Sequence, residues 1–275
     1  MYLLLLLMAI IYFFYYENNA LTLTDYTIQS HKIPASFEDF KIVQLSDLHG
    51  KKFGDDQNRL MEVVKEERPD IIVFTGDLID SRRGGEENSL LLMERLIEVA
   101  PVYYVTGNHE WRSGIYDSLE SKLLQLGVVV LRNRSEEIRI DNDSIMIAGI
   151  DDPQQDTTGR SDYDVVNEFM NDAITNETEE DYFHILLSHR PELFPVYSKF
   201  HMDLIFSGHA HGGQFRLPFV GGVLAPNQGL FPKYASGKQT QEVSTMIVNR
   251  GLGNSLFPVR LFNRPEIVVV TLEVD

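Results

Sequence analysis

The chain has 275 residues, 43% of them hydrophobic, enough for one large α/β domain or two small ones. A formal net charge of −17 leaves no basic face for gripping nucleic acid, so no specific nucleic-acid binding is expected; bound cations could still reverse the sign locally for a phosphorylated substrate. Cysteine is absent, which excludes disulfides and thiolate metal sites, leaves His, Asp, Glu and Asn as metal-binding side chains, and suits an extracytoplasmic location.

Residues 1–16 carry no charge and run from five consecutive leucines into the aromatic group Tyr12 to Tyr16. As a helix this segment would be about 24 Å long, short of the ~20 residues that a full crossing prefers. The Tyr15-Tyr16 pair resembles an interfacial belt. No basic residue precedes the apolar run and no small-residue cleavage site follows it, so a cleaved signal peptide fits poorly. The segment is read as an uncleaved hydrophobic anchor in the cell membrane, with the rest of the chain extracytoplasmic. A helix packed on the domain and an interfacial hairpin are the competing readings. Lys32 is the first basic residue, so orientation is weakly set.

Residues 17–39 read as a linker with an edge strand, because Leu21, Leu23, Ile28 and Ile33 stand among polar residues. Residues 40–275 read as one domain. Phe40 to Leu45 is a strand that delivers Asp47 and His49; Leu60 to Glu67 is a helix stopped by Pro69. Ile71 to Phe74 is an apolar β-branched run, expected to be buried on both faces and to end at Gly76-Asp77. Leu90 to Val99 is helical, Val102 to Val105 a strand ending at Gly107-Asn108-His109-Glu110, and Tyr116 to Leu126 a helix. Strands follow at Val128–Leu131, Ile138–Ile140 and Ser144–Ile150, then a helix over Tyr163–Thr175. Phe183 to Leu187 leads to His189, and Asp203 to Phe206 leads to Gly208-His209. Met246–Asn249 and Ile267–Leu272 complete the expected strands. The alternation predicts an α/β fold, a four-layer α/β/β/α sandwich of two mixed sheets flanked by helices, with a metal site at the C-terminal strand ends. Glu86-Glu87, Glu177 and Glu179-Glu180-Asp181 read as solvated charge.

The polar strand ends carry chemistry that phosphoester hydrolysis requires. The substrate is anionic, so charge must be neutralised, a nucleophile made at neutral pH and the leaving oxygen stabilised. Two metal ions about 3.5–4 Å apart can do all three. Such a pair needs a bridging carboxylate, and Asp77 is the best placed candidate. Asp47 and His49 can reach one metal only if the backbone turns, which Gly50 permits. His209 and His211 share that spacing, with Gly208, Gly212 and Gly213 allowing close approach. Asn108 offers a neutral oxygen and His189 a nitrogen. Each signal alone is weak; their order and strand context make a metal site the better reading. His31, His184 and His201 fall outside the clusters and read as ordinary histidines.

Asp47-x-His49, Gly76-Asp77, Gly107-Asn108-His109-Glu110, His189 and Gly208-His209-Ala210-His211 together resemble the calcineurin-like metallophosphoesterase superfamily, from about Ile42 to the C-terminus. Ser207 to Gln214 with Pro218-Phe219, then Asn249 to Gly253 and Arg264-Pro265-Glu266, look like its bacterial membrane-associated YkuE and YaeI type branch. The resemblance implies one metal held by Asp47, His49, Asp77 and His211, and a second by Asp77, Asn108, His189 and His209. It implies His109 as the catalytic residue, protonating the leaving oxygen while a hydroxide between the metals attacks phosphorus in line. Glu110 and Asp80 would support these groups. Ala210 departs from the family's frequent Thr, and a twin-arginine export signal is missing. Manganese is the family-based expectation for both ions; Fe, Zn or Co also suit the ligands.

The expected activity is a dinuclear metal-dependent phosphodiesterase or pyrophosphatase acting on a membrane lipid, lipid-linked nucleotide or envelope phosphoester. A broad phosphomonoesterase and a catalytically silent membrane scaffold are the alternatives. Arg216, Arg250, Arg260 and Arg264 are candidates for a phosphate clamp or for ordinary sheet-edge residues. The oligomeric state is left open.

Overall fold

A computed structural model describes residues 1–174, 182–254 and 258–275. Among them, strands β1 (Thr22–Ser30), β2 (Lys41–Leu45), β3 (Ile71–Thr75), β4 (Val102–Val105), β5 (Val129–Val130), β6 (Arg134–Ile140), β7 (Asp143–Gly149), β8 (His184–Leu187) and β9 (Leu204–Ser207) come first. Four two-residue strands follow: β10 (Arg216–Leu217), β11 (Gly221–Gly222), β12 (Leu224–Ala225) and β13 (Gly229–Leu230). Strands β14 (Gly237–Gln241), β15 (Ser244–Val248) and β16 (Glu266–Val274) close the chain.

One six-stranded sheet has the order β1-β16-β2-β3-β4-β5, and the other β14-β15-β9-β8-β7-β6. Both are mixed. In the first, β2 to β5 run parallel and β16 lies antiparallel to β2. In the second, β15, β9, β8 and β7 run parallel between antiparallel neighbours β14 and β6. β1 lies at the edge, as its alternation suggests, and pairs parallel with β16.

Apolar residues from both sheets meet in a central core that includes Ile42, Val73, Val105, Ile147, Ile185, Phe206, Ile247 and Val270. Burying each such side chain contributes roughly 1.5–3 kcal/mol, which explains why β3, fully buried, is Ile-Ile-Val-Phe-Thr. The other face of the first sheet packs on helices α2 (Asn58–Glu67), α3 (Glu86–Leu96) and α5 (Tyr116–Leu126) through Leu60, Val64, Leu92, Leu96, Leu119 and Leu123. The second sheet packs on α6 (Asp162–Ile174) and α7 (Phe194–Tyr197) through Val166, Phe169, Met170 and Phe194. The expected four layers are present.

Several elements lie outside the sequence reading. The segment Asn108–Ser113 is a helix, α4, where the sequence reading assigns no element. Strands β10 to β14 also escape it, because Gly- and Pro-rich hairpins carry no hydrophobic period. Helix α1 (Tyr2–Asn19) extends beyond residue 16, with Glu17 and Asn18 buried. It is long and apolar enough to cross a membrane by length and composition. Glu87 is exposed, whereas Glu86 is half-buried and pairs with Lys122. Thr175, Glu177 and Glu179 to Asp181 lie outside the described residues.

Candidate metal centre

Strands β2, β3 and β4 of the first sheet and β8 and β9 of the second end beside one another, and they deliver the seven candidate ligands and His109 to one edge. Delivering them requires sharp turns. Asp47, His49, Asp77, His209 and His211 all have positive φ, between 47° and 65°. For non-glycine residues this left-handed conformation costs of order 1–3 kcal/mol and persists only where the surroundings impose it. The turn at the end of β2 is therefore made by Asp47 and His49 themselves, in addition to Gly50. Gly208 serves close approach: a Cβ there would collide with Ser46 and Asp47.

The side chains gather into two groups that share a carboxylate. Asp47, His49, Asp77 and His211 present ligand atoms within 4.8 Å of one another, as do Asp77, His189 and His209. Asp77 Oδ2 lies 3.6 Å from His49 Nε2 on one side and 3.3 Å from His189 Nε2 on the other. His211 Nε2 is 3.2 Å from Asp47 Oδ1 and 3.1 Å from His49 Nε2. His209 Nδ1 is 3.1 Å from His189 Nε2. All are buried.

The electrostatics suit a cation. Burial alone would raise the Asp77 carboxyl; the rings of His189, His49 and His109 outweigh it and hold it well below the ordinary range. His189 shows the converse. Burial disfavours its charge, yet Asp77 and Asp47 raise it to about 10. The buried carboxylates thus favour positive charge within the cluster, which a divalent ion would supply. Burial, then Arg190, pushes His209 well below its usual value.

Two orientations test the fit directly. His189 Nδ1 donates to the Thr75 carbonyl at 2.7 Å, which turns Nε2 to the cluster, as outer partners of metal-bound histidines do. The Asn108 carbonyl oxygen faces His209 Nδ1 at 3.0 Å, with its amide nitrogen turned away. With the imidazole proton on Nε2, that oxygen and Nδ1 are both acceptors, and a cation against both would satisfy them. The residues present fit a pair of divalent ions.

Glu110 braces the site. Its Oε2 accepts from the backbone N–H of Asp77 (2.9 Å) and of Gly107 (2.7 Å), and Oε1 from that of Ile79 (3.1 Å). One carboxylate thus ties the end of β3 to the start of α4. Asp80 accepts from the backbone N–H of Arg82 and Arg83 and from the Arg83 guanidinium, and lies 3.7 Å from His49 Nδ1. His109 accepts from the Ser81 backbone N–H at Nδ1 (3.0 Å), so in the neutral ring Nε2 carries the proton. Ala210 is fully buried in the α6-side core.

A cavity of about 400 Å³ opens over the cluster, lined by Asp77, Asn108, His109, His209 and His211 with Arg82 and Arg112. The four arginines weighed from sequence are engaged elsewhere. Arg250 pairs with Glu266 (2.8 Å), Arg216 donates to Ser236 and the Gly212 carbonyl, Arg260 is buried against backbone carbonyls, and Arg264 meets the Tyr16 hydroxyl. Arg112 escapes the sequence reading because no helix is read over its segment, which hides its place one turn beyond Asn108. His31 and His201 are exposed, and His184 lies buried in β8.

A metal-binding α/β hydrolase is the class that this fold and cluster define. The family of calcineurin-like phosphoesterases matches residues 40–213. The chain is 33% identical over 265 residues to the metallophosphoesterase YkuE of Bacillus subtilis (strain 168), covering 94% of this chain and 87% of that one. A metallophosphoesterase of Aquifex aeolicus (strain VF5) is 34% identical over 262 residues, covering 94% of each. A transmembrane protein with metallophosphoesterase domain from Bos taurus is 29% identical over 91% of this chain and 57% of that protein. The crystal structure of TT1561 of Thermus thermophilus superposes with a TM-score of 0.52 at 14% identity, over 77% of this chain and 89% of that one, a likeness of fold. The chain belongs to the calcineurin-like phosphoesterase family and is a metallophosphoesterase, a hydrolase of phosphoric esters.

Proposed function

We propose that the protein is a dinuclear phosphodiesterase or pyrophosphatase acting on a phosphoester held at a membrane. The observation that carries the dinuclear reading is the position of Asp77 Oδ2 between His49 and His189. In this reading Asp47, His49, Asp77 and His211 hold one ion, and Asp77, Asn108, His189 and His209 the other. When bound, two such ions neutralise the substrate and acidify a water. Manganese is our choice of ion.

The chain's own groups do the rest. Asp77 keeps its second oxygen on the His109 backbone N–H (2.8 Å), so the shared carboxylate also sets the start of α4. That fixes His109, whose Nδ1 is occupied by Ser81, leaving Nε2 to meet the leaving oxygen and supply its proton.

Membrane placement draws support from α1 and from the rim of the cavity. Residues 1–16 act as the anchor, 17–39 as the connecting edge strand, and 40–275 as the catalytic domain outside the cytoplasm. Phe13 of α1 packs edge-on against exposed Phe262, ring centroids 5.8 Å apart. Pro226 and Asn227, which line the cavity, join β12 to β13, and that hairpin exposes Leu230 and Phe231. An apolar rim suits substrate drawn from a bilayer.

The test uses the Mn-loaded full chain in detergent. His109→Ala is expected to lower hydrolysis of bis-p-nitrophenyl phosphate by about 10²–10⁴-fold with both metals retained. Loss of both metals would contradict the role given to His109. Faster turnover of p-nitrophenyl phosphate than of the diester would favour a monoesterase, and no turnover of either a scaffold.

A further inference from the structure

Asn108 and Arg112 stand four residues apart on α4 and so share a face. With the Asn108 carbonyl turned to His209, its amide nitrogen faces Arg112 Nη1 at 3.2 Å. Both are donors, and neither can accept from the other. The same amide nitrogen lies 3.2 Å from the His109 backbone nitrogen, whose N–H is already given to Asp77. Swapping the amide would satisfy these contacts but would aim N–H groups at the candidate ligands. The orientation that serves a cation therefore leaves two donors converging without an acceptor, and an anionic oxygen between them resolves the conflict.

The guanidinium is held for such a task. Its Nε and Nη2 both donate to Gln154 Oε1, at 3.0 and 2.7 Å. Gln154 sits in a short turn whose backbone N–H is capped by Asp152, itself in a buried pair with Arg190. A neutral amide orients the guanidinium without cancelling its charge, and among the described residues no carboxylate lies within 4.0 Å of it. Arg112 and Asn108 both line the cavity above the metal cluster.

We propose that Arg112, oriented by Gln154, binds a phosphoryl oxygen of the substrate beside the metal centre, with the Asn108 amide as its second donor. The proposal rests on the reading of Asn108 as a metal ligand. It gives the site a recognition element for the anionic phosphoryl group in addition to the ions and His109. A charged, doubly donated contact of this kind strengthens phosphate binding by about 10- to 100-fold.

The test is binding of inorganic phosphate to the Mn-loaded full chain in detergent, measured by calorimetry alongside metal content. Arg112→Ala is expected to raise the phosphate Kd about 10- to 100-fold with metal content unchanged. Arg112→Lys should fall between, because it keeps the charge and loses the fork. Gln154→Ala should give a smaller rise, since the guanidinium remains but is no longer oriented. An unchanged Kd in Arg112→Ala overturns the assignment and leaves the ligand set standing. Loss of metal in Arg112→Ala overturns it too, because Arg112 would then hold Asn108 rather than substrate. Failure of the His109→Ala test shows in turnover, not in phosphate affinity, so the two readings fail separately.

Discussion

Asn263 donates its side-chain N–H to the backbone carbonyl of His211 at 2.7 Å, while its own backbone N–H donates to Glu17 Oε2 of α1 at 3.1 Å. One buried asparagine therefore links the apolar helix to a candidate metal ligand. It also holds the Gln214 carbonyl (3.1 Å), so the whole turn after His209 is tied down. Arg260 reinforces the seat, its backbone N–H donating to the Asn18 side-chain oxygen.

Replacing Asn263 by Ala leaves two buried carbonyls without a partner and frees the His211 turn. Outer partners of this kind are worth about 10- to 100-fold in metal affinity. Asn263→Ala is therefore expected to lose one metal equivalent at lower chelator concentration than the unmodified chain. Metal content after graded EDTA treatment checks it, and an unaltered release curve would show that the link carries no load.

Glu110→Gln keeps the size of the brace and removes its charge. Its amide can accept through one oxygen only, so at least one of the three backbone N–H groups faces a donor. An unsatisfied buried group costs about 1–3 kcal/mol. Urea unfolding should show a lower midpoint with unchanged slope, since the surface exposed on unfolding is the same.

Metal addition should stabilise the fold, because the paired carboxylates and histidines gather only in the folded chain. At an ion concentration of 100 times Kd, one site contributes about 2.7 kcal/mol. For a chain of this size that corresponds to roughly 5–10 °C in Tm. Thermal scans with Mn and with EDTA measure it. Asp77→Asn should abolish most of the difference, since that residue belongs to both groups.

The membrane reading predicts where the apolar rim sits. The chain has one tryptophan, Trp111, packed against Tyr116, so Trp111→Phe gives a silent background. In that background Tyr12→Trp and Phe231→Trp are both expected to be quenched by vesicles of brominated phospholipid. Quenching at position 12 without quenching at 231 would place the cavity away from the bilayer and remove the support for a lipid-borne substrate.

Much of this is legible in the chain alone. The apolar runs that end at Asp77 and His209 announce buried strands, because only a strand covered on both faces tolerates Val and Ile at every position. The polar residues at their ends then have to meet at one sheet edge, and they do. The helix at Asn108–Ser113 is illegible because its polar residues lack an apolar period. The hairpins after His211 are hidden for a related reason: two-residue strands are set by contacts with Gly213 and Leu261, not by their own pattern.

The residue types and spacing of the strand ends by themselves determined the chemistry available: hard oxygen and imidazole donors, a carboxylate at the end of the most apolar strand, and His109 beside Asn108. Tertiary structure alone decided which atoms face each other. It placed Asp77 Oδ2 between two histidines, set Arg112 against the Asn108 amide, and joined Glu17 through Asn263 to His211. The reason is physical. Local pattern reports burial and backbone period, whereas hydrogen bonds between residues up to 248 positions apart exist only once the sheets have packed.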